Sequence, residues 1–213
     1  MIILEKVNKI YKSKEFSKNI FEDLNFEINQ GDFIKILGPN GSGKSTFLKL
    51  IKKLILPDKG RISYNEKIKN SDIALVTQNQ RSFFLNLTVK QNLLFFCSLN
   101  SKKSLNLETK IKDKLRIFDL SEKFDTDMYA LSSGELKKVS IIRALLKEPK
   151  LLLLDEVTSN LEEKNRLFFT NYIREELNQN QNVSIIWTTH YPNEIHSDYE
   201  KSFLIEDSSF VEL

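Results

Sequence analysis

The residues best suited to chemistry begin with a short stretch that combines three glycines, a lysine and two adjacent hydroxyl side chains. In order they are Gly38, Pro39, Asn40, Gly41, Ser42, Gly43, Lys44, Ser45 and Thr46. The spacing fits G-x-x-x-x-G-K-[ST], in which glycines let backbone N–H groups point at a polyphosphate and the N-terminus of the next helix adds partial positive charge. In this pattern Lys44 reaches the β- and γ-phosphates, and the Ser45 hydroxyl ligates Mg²⁺.

The context of this stretch favours a phosphate-binding loop (P-loop) over a chance Gly-Ser turn. The apolar run 33–37 precedes it, and apolar residues at three- and four-residue steps predict a helix over about 44–54. The chain has six glycines and four prolines, so three glycines within six positions mark a place where the backbone requires them. The stretch therefore predicts a nucleotide site.

A second candidate group is the acidic pair Asp155-Glu156, which follows the apolar run 151–154. Adjacent carboxylates at the end of a buried strand would repel each other, so a cation or a shared proton is expected beside them. Asp155 then belongs to the Mg²⁺ shell, and Glu156 is the candidate that polarises the attacking water. An acidic cap on a buried strand is the alternative, and the P-loop is what favours the catalytic interpretation.

The elements that must position these groups change in type along the chain. Strands are predicted over 2–7, 24–28, 33–37, 61–64, 73–77, 151–154, 183–188 and 202–205, the last of which closes the pattern. Besides the helix over 44–54, helices are predicted over 88–99, 108–118, 134–146 and 162–178. Gly31 and Gly60 are expected at turns. Uniformly apolar strands between helices predict a parallel sheet that is buried on both faces.

Composition excludes several classes of protein. With 213 residues, 29% of them charged, and a net charge of +3, the chain has no strongly basic face for nucleic acid. The pairs Lys52-Lys53, Lys102-Lys103 and Lys137-Lys138 are scattered and expected on solvated faces. The single cysteine, Cys97, cannot form an internal disulfide, which indicates a reducing cytoplasm. We find no signal peptide and no apolar run of about 20 residues, so any membrane role is expected to come through partners.

Three further features lie in a fixed order around the acidic pair. Gln78 follows a predicted strand, residues 131–135 (Leu-Ser-Ser-Gly-Glu) open a helix, and His190 lies at the end of the strand 183–188. Taken alone, residues 131–135 are a helix N-cap with Ser132 or Ser133 as the capping residue, and a lone histidine at a strand end is ordinary polar filler. Their order along the chain gives them another interpretation.

This ordered set resembles the ATP-binding domain of ABC transporters over essentially the whole chain. The resemblance implies an α/β fold, a P-loop NTPase with a RecA-like, mostly parallel core sheet, an N-terminal antiparallel β-subdomain and an inserted helical subdomain at roughly 80–146 of a single domain, 1–213. It implies ATP and Mg²⁺ as cofactors and an ATPase activity. The implied catalytic residues are Lys44, Gln78, Glu156 and His190, and the implied metal ligands are Ser45, Gln78 and Asp155. Residues 38–46, with Ser132 and Gly134 of the signature, are the implied ATP-binding residues. Residues 159–162 are the implied D-loop. Tyr11 is the implied adenine-stacking aromatic, with Phe16 as its competitor.

The same resemblance implies partners. In the family each ATP is sandwiched between the P-loop of one subunit and the signature of another, so a second ABC domain is needed head to tail, as a homodimer or a heterodimer. Residues 80–93 resemble exporter-type ATPases, in which this region docks onto an integral-membrane permease. Phe83 and Phe84 fit such a surface, and burial in the helical subdomain is the alternative. We therefore expect an exporter subunit in the cytoplasm, held on the inner face of the membrane through its permease.

Two other functions stay open. One is a soluble ABC ATPase of an assembly machine, for example in iron–sulfur cluster biogenesis, and the other is a slow nucleotide-gated switch. The chain departs from the family pattern at Ser133, Glu135, Val157 and Glu162. None of these departures removes a catalytic group, but Glu135 would bring an acidic side chain near a γ-phosphate.

Overall fold

Strands and helices alternate through the computed structural model, which describes residues 1–13, 16–77, 83–99, 106–158, 161–190 and 200–213. The strands in these ranges are β1 (Ile2–Lys12), β2 (Ser17–Ile28), β3 (Phe33–Leu37), β4 (Lys59–Tyr64), β5 (Ile73–Val76), β6 (Leu151–Asp155), β7 (Ser184–Thr189), β8 (Glu200–Glu206) and β9 (Ser209–Glu212). The helices are α1 (Lys44–Ile51), α2 (Val89–Ser98), α3 (Leu107–Ile117), α4 (Ser133–Leu145) and α5 (Glu163–Asn171), and α5 continues in wider π-type turns over Tyr172–Gln179.

The central sheet has the strand order β5-β6-β7-β3-β8-β9 and is parallel except for its last pair. Strand β6 is apolar on both sides because the sheet is covered on both faces. Leu151 and Leu153 pack into one hydrophobic cluster, and Leu152 and Leu154 pack into the other. The prediction of a mostly parallel, doubly covered sheet is therefore confirmed.

A three-stranded antiparallel sheet, in the order β2-β1-β4, lies over α1. Phe26 of β2 is the centre of the contact, with ring centroids 5.2 Å from Phe47 of α1, 4.9 Å from Phe203 of β8 and 5.0 Å from Phe210 of β9. Aromatic pairs at these separations contribute beyond their buried area. This cluster fixes the β1–β2 hairpin against the helix that follows the P-loop.

Helices α2, α3 and α4 pack together with the other face of the sheet. Their buried side chains include Val89, Leu93, Ile111, Leu115, Val139 and Ile142. Ser132 is the N-cap of α4 and Thr88 is the N-cap of α2, and each forms a reciprocal capping box with the residue three positions later. No helix within the described ranges is both long and apolar enough to cross a bilayer.

Four expectations about the elements are wrong. Strand β8 does not close the pattern, because β9 follows through a tight turn at Asp207 and Ser208, whose φ angles are 45° and 62°. Helix α1 ends at Ile51, which leaves Leu54 exposed instead of packed. Strands β1 and β2 extend to Lys12 and back to Ser17 as a long hairpin. Gly60 lies inside β4 and not at a turn. Its φ of 79° and the Lys6 carbonyl oxygen, with which a Cβ would collide, both require glycine at this position.

Candidate functional site

The predicted chemical groups converge at the carboxyl edge of the central sheet. The P-loop follows β3, Asp155 ends β6, and β7, which lies between these two strands, ends just before His190. They surround a pocket of about 480 Å³, a size suited to a small ligand. Its walls are Tyr11, Lys18, Ile20, Asn40, Gly41, Gly43, Lys44, Ser45, Thr46, Glu156 and His190.

The P-loop backbone needs its glycines. Gly41 and Gly43 have φ angles of 78° and 117°, a region that other residues rarely adopt. A Cβ on Gly43 would also lie 2.7 Å from the Ile20 side chain and 3.1 Å from the ring of Phe21. Strand β2 therefore packs directly against the P-loop where α1 begins, and a larger residue at position 43 would displace either the strand or the loop.

Lys44 is held at the centre of the loop and is 5% exposed. Its ammonium donates hydrogen bonds to the carbonyls of Gly38 and Pro39, at 2.7 and 3.2 Å, and lies 3.1 Å from Glu156 Oε1. Three oxygens thus surround the Lys44 ammonium, which can also bind phosphate oxygens. A polyphosphate entering the loop has to replace Glu156 as the anionic partner of Lys44.

Asp155 is buried and accepts hydrogen bonds from two hydroxyl groups. Ser45 Oγ and Thr188 Oγ1 each lie 3.0 Å from Asp155 Oδ1. Hydroxyl donors offset the cost of burying a carboxylate. Thr188 is a residue that the sequence analysis missed. The signal for it is a polar side chain directly after the apolar run 185–187, and Thr188 pairs in register with Asp155.

Glu156 lies between the P-loop and His190. Its Oε2 is 3.5 Å from His190 Nδ1, while Oε1 faces Lys44. The backbone at Glu156 is left-handed, with φ 48°, and its amide donates to the Thr188 carbonyl at 3.1 Å. Such a conformation at a non-glycine residue is typical of functional sites. A carboxylate that a polyphosphate releases from Lys44, and that stays beside an imidazole, is suited to accept a proton from water.

Lys137 of α4 was expected on a solvated face, and the structure shows that this is wrong. Its side chain is buried, at 4% exposure, and Nζ donates to the carbonyl of Thr77 at 3.2 Å. Burial lowers the pKa of Lys137 to about 8, although the carboxylates of Asp155 and Glu156 oppose the shift. Helix α4 therefore brings a buried cation into the electrostatic field of the acidic pair.

The signature residues lie away from this pocket, since neither Ser132 nor Gly134 lines it. Glu135 turns back on its own helix: Oε2 accepts from the Ser132 amide at 2.8 Å, and Oε1 lies 3.1 Å from Lys123 Nζ. These contacts, the backbone hydrogen bond first, lower the pKa of Glu135. The N-cap interpretation of residues 131–135 is thus realised, and the acidic side chain is directed toward its own helix start and Lys123.

Several other predicted residues can be located. Tyr11 lines the pocket, and Phe16 does not. Phe83 is buried, as expected for packing within the helical subdomain. Phe84 is 48% exposed, as expected for a partner surface. Gln78, His196, the Lys102-Lys103 pair, and Ser159 and Asn160 of the predicted D-loop lie outside the described residues.

The site suits a hard cation that is shared with a substrate. Within the described ranges no group of three or more His, Cys, Asp or Glu side chains could hold a metal ion. A single carboxylate, Asp155, next to the Ser45 hydroxyl is instead the kind of donor set that Mg²⁺ uses when phosphate oxygens complete its shell. The donors present therefore fit Mg²⁺.

The sheet order, the glycine-rich loop and the acidic pair together define a P-loop nucleoside triphosphatase. Comparison with known families narrows this class, because residues 21–159 match the family model described as "ABC transporter". The chain belongs to the ABC transporter ATP-binding family, and it is an ATPase of that family.

Two relatives show how far the similarity extends. A protein of Chlorella vulgaris, "Probable sulfate/thiosulfate import ATP-binding protein CysA", is 31% identical over all of this chain and 90% of its own length. The lipoprotein-releasing system ATP-binding protein LolD of Buchnera aphidicola subsp. Acyrthosiphon pisum (strain APS) is 32% identical over 87% of this chain and 86% of its own length.

Two solved structures share the fold over nearly the whole chain. The dimeric structure of MJ0796, a bacterial ABC transporter cassette, has a TM-score of 0.86 and 26% identity, and the alignment covers 99% of this chain and 96% of that one. The same cassette in a dimeric post-hydrolysis state bound to ADP and Pi has a TM-score of 0.84 and 25% identity, with 100% and 98% covered. The predicted fold class is confirmed.

Proposed function

We propose that this ATPase drives a separate membrane permease, in the export direction, by ATP-dependent head-to-tail dimerisation of one domain spanning residues 1–213. The observation that carries the proposal is the convergence of Lys44, Glu156 and His190 on one pocket, with Asp155 bonded to the pocket residue Ser45. Localisation follows from the permease: the ATPase is held at the inner face of the membrane, on the cytoplasmic side.

Each residue of the pocket has a defined task in hydrolysis. ATP binds with its base against Tyr11 and its phosphates in the loop 38–46. The Lys44 ammonium exchanges its contact with Glu156 for contacts with the phosphates. Glu156 then stays beside His190 and accepts the proton of the attacking water. Mg²⁺ held by Ser45 and Asp155, with Gln78 as the further proposed ligand, neutralises phosphate charge when it is bound.

Dimerisation brings the signature to the nucleotide. Ser132 and Gly134 lie at the N-terminus of α4, where backbone N–H groups and the helix dipole favour an anion, but they do not line the pocket of their own chain. A Cβ at Gly134 would meet no atom of the described chain within 4 Å, so the chain's own packing does not require this glycine. Both features support a γ-phosphate that a second copy, or a related subunit, brings to this surface.

An exposed aromatic surface on the helical part supports the permease. Phe84 and Phe95 are both exposed and contact each other edge to face at 5.0 Å, and Leu85 and Leu99 extend the exposed apolar area. Exposed apolar patches of this kind typically mark protein interfaces. Export is the direction suggested by residues 80–93, although the relatives include ATPases named for import and for lipoprotein release.

The nucleotide half of the proposal is tested with Lys44→Ala. We expect phosphate release to fall at least about 100-fold, because the cation that stabilises the transferred phosphate is lost. Lys49→Ala is the matched control, since Lys49 is an exposed lysine on the same helix. Steady-state ATPase assays with thermal unfolding curves make the measurement, and unchanged turnover in a folded Lys44→Ala protein would remove the P-loop assignment.

The permease half is tested by purifying the tagged chain from detergent-solubilised membranes of its own cells. We expect a polytopic membrane protein to co-purify, and the double variant Phe84→Ser/Phe95→Ser to lose it. The control is Leu54→Ser/Leu56→Ser, which removes exposed apolar residues outside the helical part, and this variant should still co-purify with the membrane protein. A soluble partner in its place would favour an assembly ATPase.

In vesicles with the ATPase on the outside, ATP-driven accumulation of cargo in the lumen supports export, and ATP-driven depletion indicates import.

A further inference from the structure

A lysine with no role in the sequence analysis reaches the P-loop from the antiparallel sheet. Lys18 of β2 donates from Nζ to the carbonyl of Gly41 at 2.7 Å, and its side chain lines the same pocket as Lys44. An ammonium group has three donors, so this contact leaves two N–H groups of Lys18 for other acceptors.

The register of the β1–β2 hairpin explains why Lys18 faces the pocket. Tyr11 pairs directly with Lys18, so the two side chains lie on one face of the sheet, while Lys12 pairs with Ser17 on the opposite face. Ile20 lines the same pocket as Lys18 and lies against Gly43. One face of the hairpin therefore presents an aromatic ring and a cation side by side to the P-loop.

The two lysines of the pocket differ in accessibility. Lys44 is buried and already contacts two carbonyls and the carboxylate of Glu156, so a phosphate must break an ion pair to reach it. Lys18 is exposed, and its contact is with a neutral carbonyl. A polyphosphate arriving from solvent can therefore meet Lys18 before it displaces Glu156 from Lys44.

We propose that Lys18 is a second phosphate-binding lysine, which captures the polyphosphate of ATP at the mouth of the pocket and raises the association rate. The inference rests on the proposed binding of ATP by residues 38–46. It adds to that binding a residue from outside the P-loop motif, supplied by the same hairpin that carries Tyr11. Charged residues at the entrance of a cleft act in this way by steering an oppositely charged ligand.

The test compares Lys18→Met, Lys18→Gln, Lys18→Arg and Lys12→Met in stopped-flow and equilibrium binding of ATP, ADP and AMP. At low ionic strength we expect Lys18→Met to bind ATP about three- to five-fold more weakly, mostly through slower association, because exposed charge pairs are worth this much. The loss should be smaller for AMP, which carries less charge, and should shrink at high salt. Lys18→Arg and the opposite-face control Lys12→Met should bind like wild type.

The outcomes separate this inference from the proposed function. Wild-type ATP binding by Lys18→Met at low salt overturns the role of Lys18 and leaves the nucleotide site intact. Wild-type binding by Lys18→Gln, which keeps a donor for the Gly41 carbonyl but no charge, also overturns it, since only a structural contact would remain. If the wild-type chain binds no ATP, the proposed function itself fails, and the role of Lys18 fails with it.

Discussion

The carboxylate of Asp155 is held in place by hydroxyl groups from the neighbouring strand β7 and from helix α1. Ser45 and Thr188 both donate to the same oxygen, and Thr188 also accepts the Glu156 amide through its backbone carbonyl. One threonine thus contacts both members of the acidic pair: its hydroxyl donates to Asp155, the proposed metal ligand, and its carbonyl accepts from the amide of Glu156, the proposed proton acceptor.

Thr188→Val tests this arrangement, because it keeps the branched shape and removes the hydroxyl. We expect kcat to fall about ten-fold or more, since a hydrogen bond to a charged group is worth about 1.5–3 kcal/mol. Thr188→Ser keeps the donor and should restore most of the activity. The measurement is steady-state ATP hydrolysis together with the unfolding midpoint, and a Thr188→Val protein with wild-type kcat would show that Asp155 does not need the Thr188 hydroxyl.

Residues that the family pattern marks, including Tyr11 and His190, could be predicted from the sequence, and residues that reach the pocket outside that pattern could not. The pattern around Lys44 and the acidic pair fixes residue types at fixed offsets, so these groups were found without a structure. Thr188 and Lys18 enter through strand register, which one sequence does not encode locally. Lys137 was misplaced because its periodicity on α4 does not reveal the carboxylates of another strand.

At the scale of elements, a single lysine joins α1 to the start of β5. Lys52 follows α1 as its C-cap, and its ammonium donates to the carbonyls of Asn70 and Ile73, both at 2.6 Å. Burial lowers the pKa of Lys52 to about 8, with a smaller effect from nearby Lys147. The contact therefore carries a cost at neutral pH, where the half-buried ammonium is charged.

Removing this lysine should flatten the dependence of stability on pH. Between pH 8 and 10.5 the unfolded chain binds more protons than the folded one, so the free energy of unfolding rises with pH across that window. Lys52→Met should reduce the rise by about 1 kcal/mol at most, because partial exposure screens the charge. Lys49→Met is the control.

Urea unfolding at pH 7, 8, 9 and 10 makes this measurement. Burial raises the pKa of Tyr64 to about 12, which lowers stability as pH rises above 10, so the series stops there. Lys137 acts in the same direction as Lys52, and a residual rise in Lys52→Met is therefore expected. A slope identical to wild type would show that Lys52 is solvated in the folded protein.

The elements that sequence predicted best are those buried on both sides. Strand β6 is apolar up to Asp155, and β3 is apolar except for the buried Lys35, because helices and the antiparallel sheet cover both strands. Their predicted bounds agree with the structure to within one residue. The edge strand β9 was missed because it is short and largely exposed, so it has no burial pattern to reveal. Its pairing with β8 depends on the left-handed turn at Asp207 and Ser208.

At the scale of the whole molecule, the proposed head-to-tail dimer requires each chain to carry two half-sites, one at the P-loop and one at the signature. In the P-loop half, Glu156 already contacts both Lys44 and His190. The signature half is an N-capped helix whose acidic residue is paired with Lys123. Glu135 is thus turned back toward Lys123, and the departure from the family pattern is compatible with an anion at the start of α4.

Glu156→Gln should trap the assembled state. The neutral amide cannot accept the proton of the attacking water and does not repel the γ-phosphate, so ATP should persist between two chains. We expect light scattering with size-exclusion chromatography to show a dimer in ATP and a monomer in its absence. Adding Gly134→Leu gives the control, because a side chain there meets no atom of its own described chain but occupies the surface offered to the partner's phosphate. A monomeric Glu156→Gln protein at saturating ATP, or a dimer that persists with Gly134→Leu, contradicts the head-to-tail arrangement.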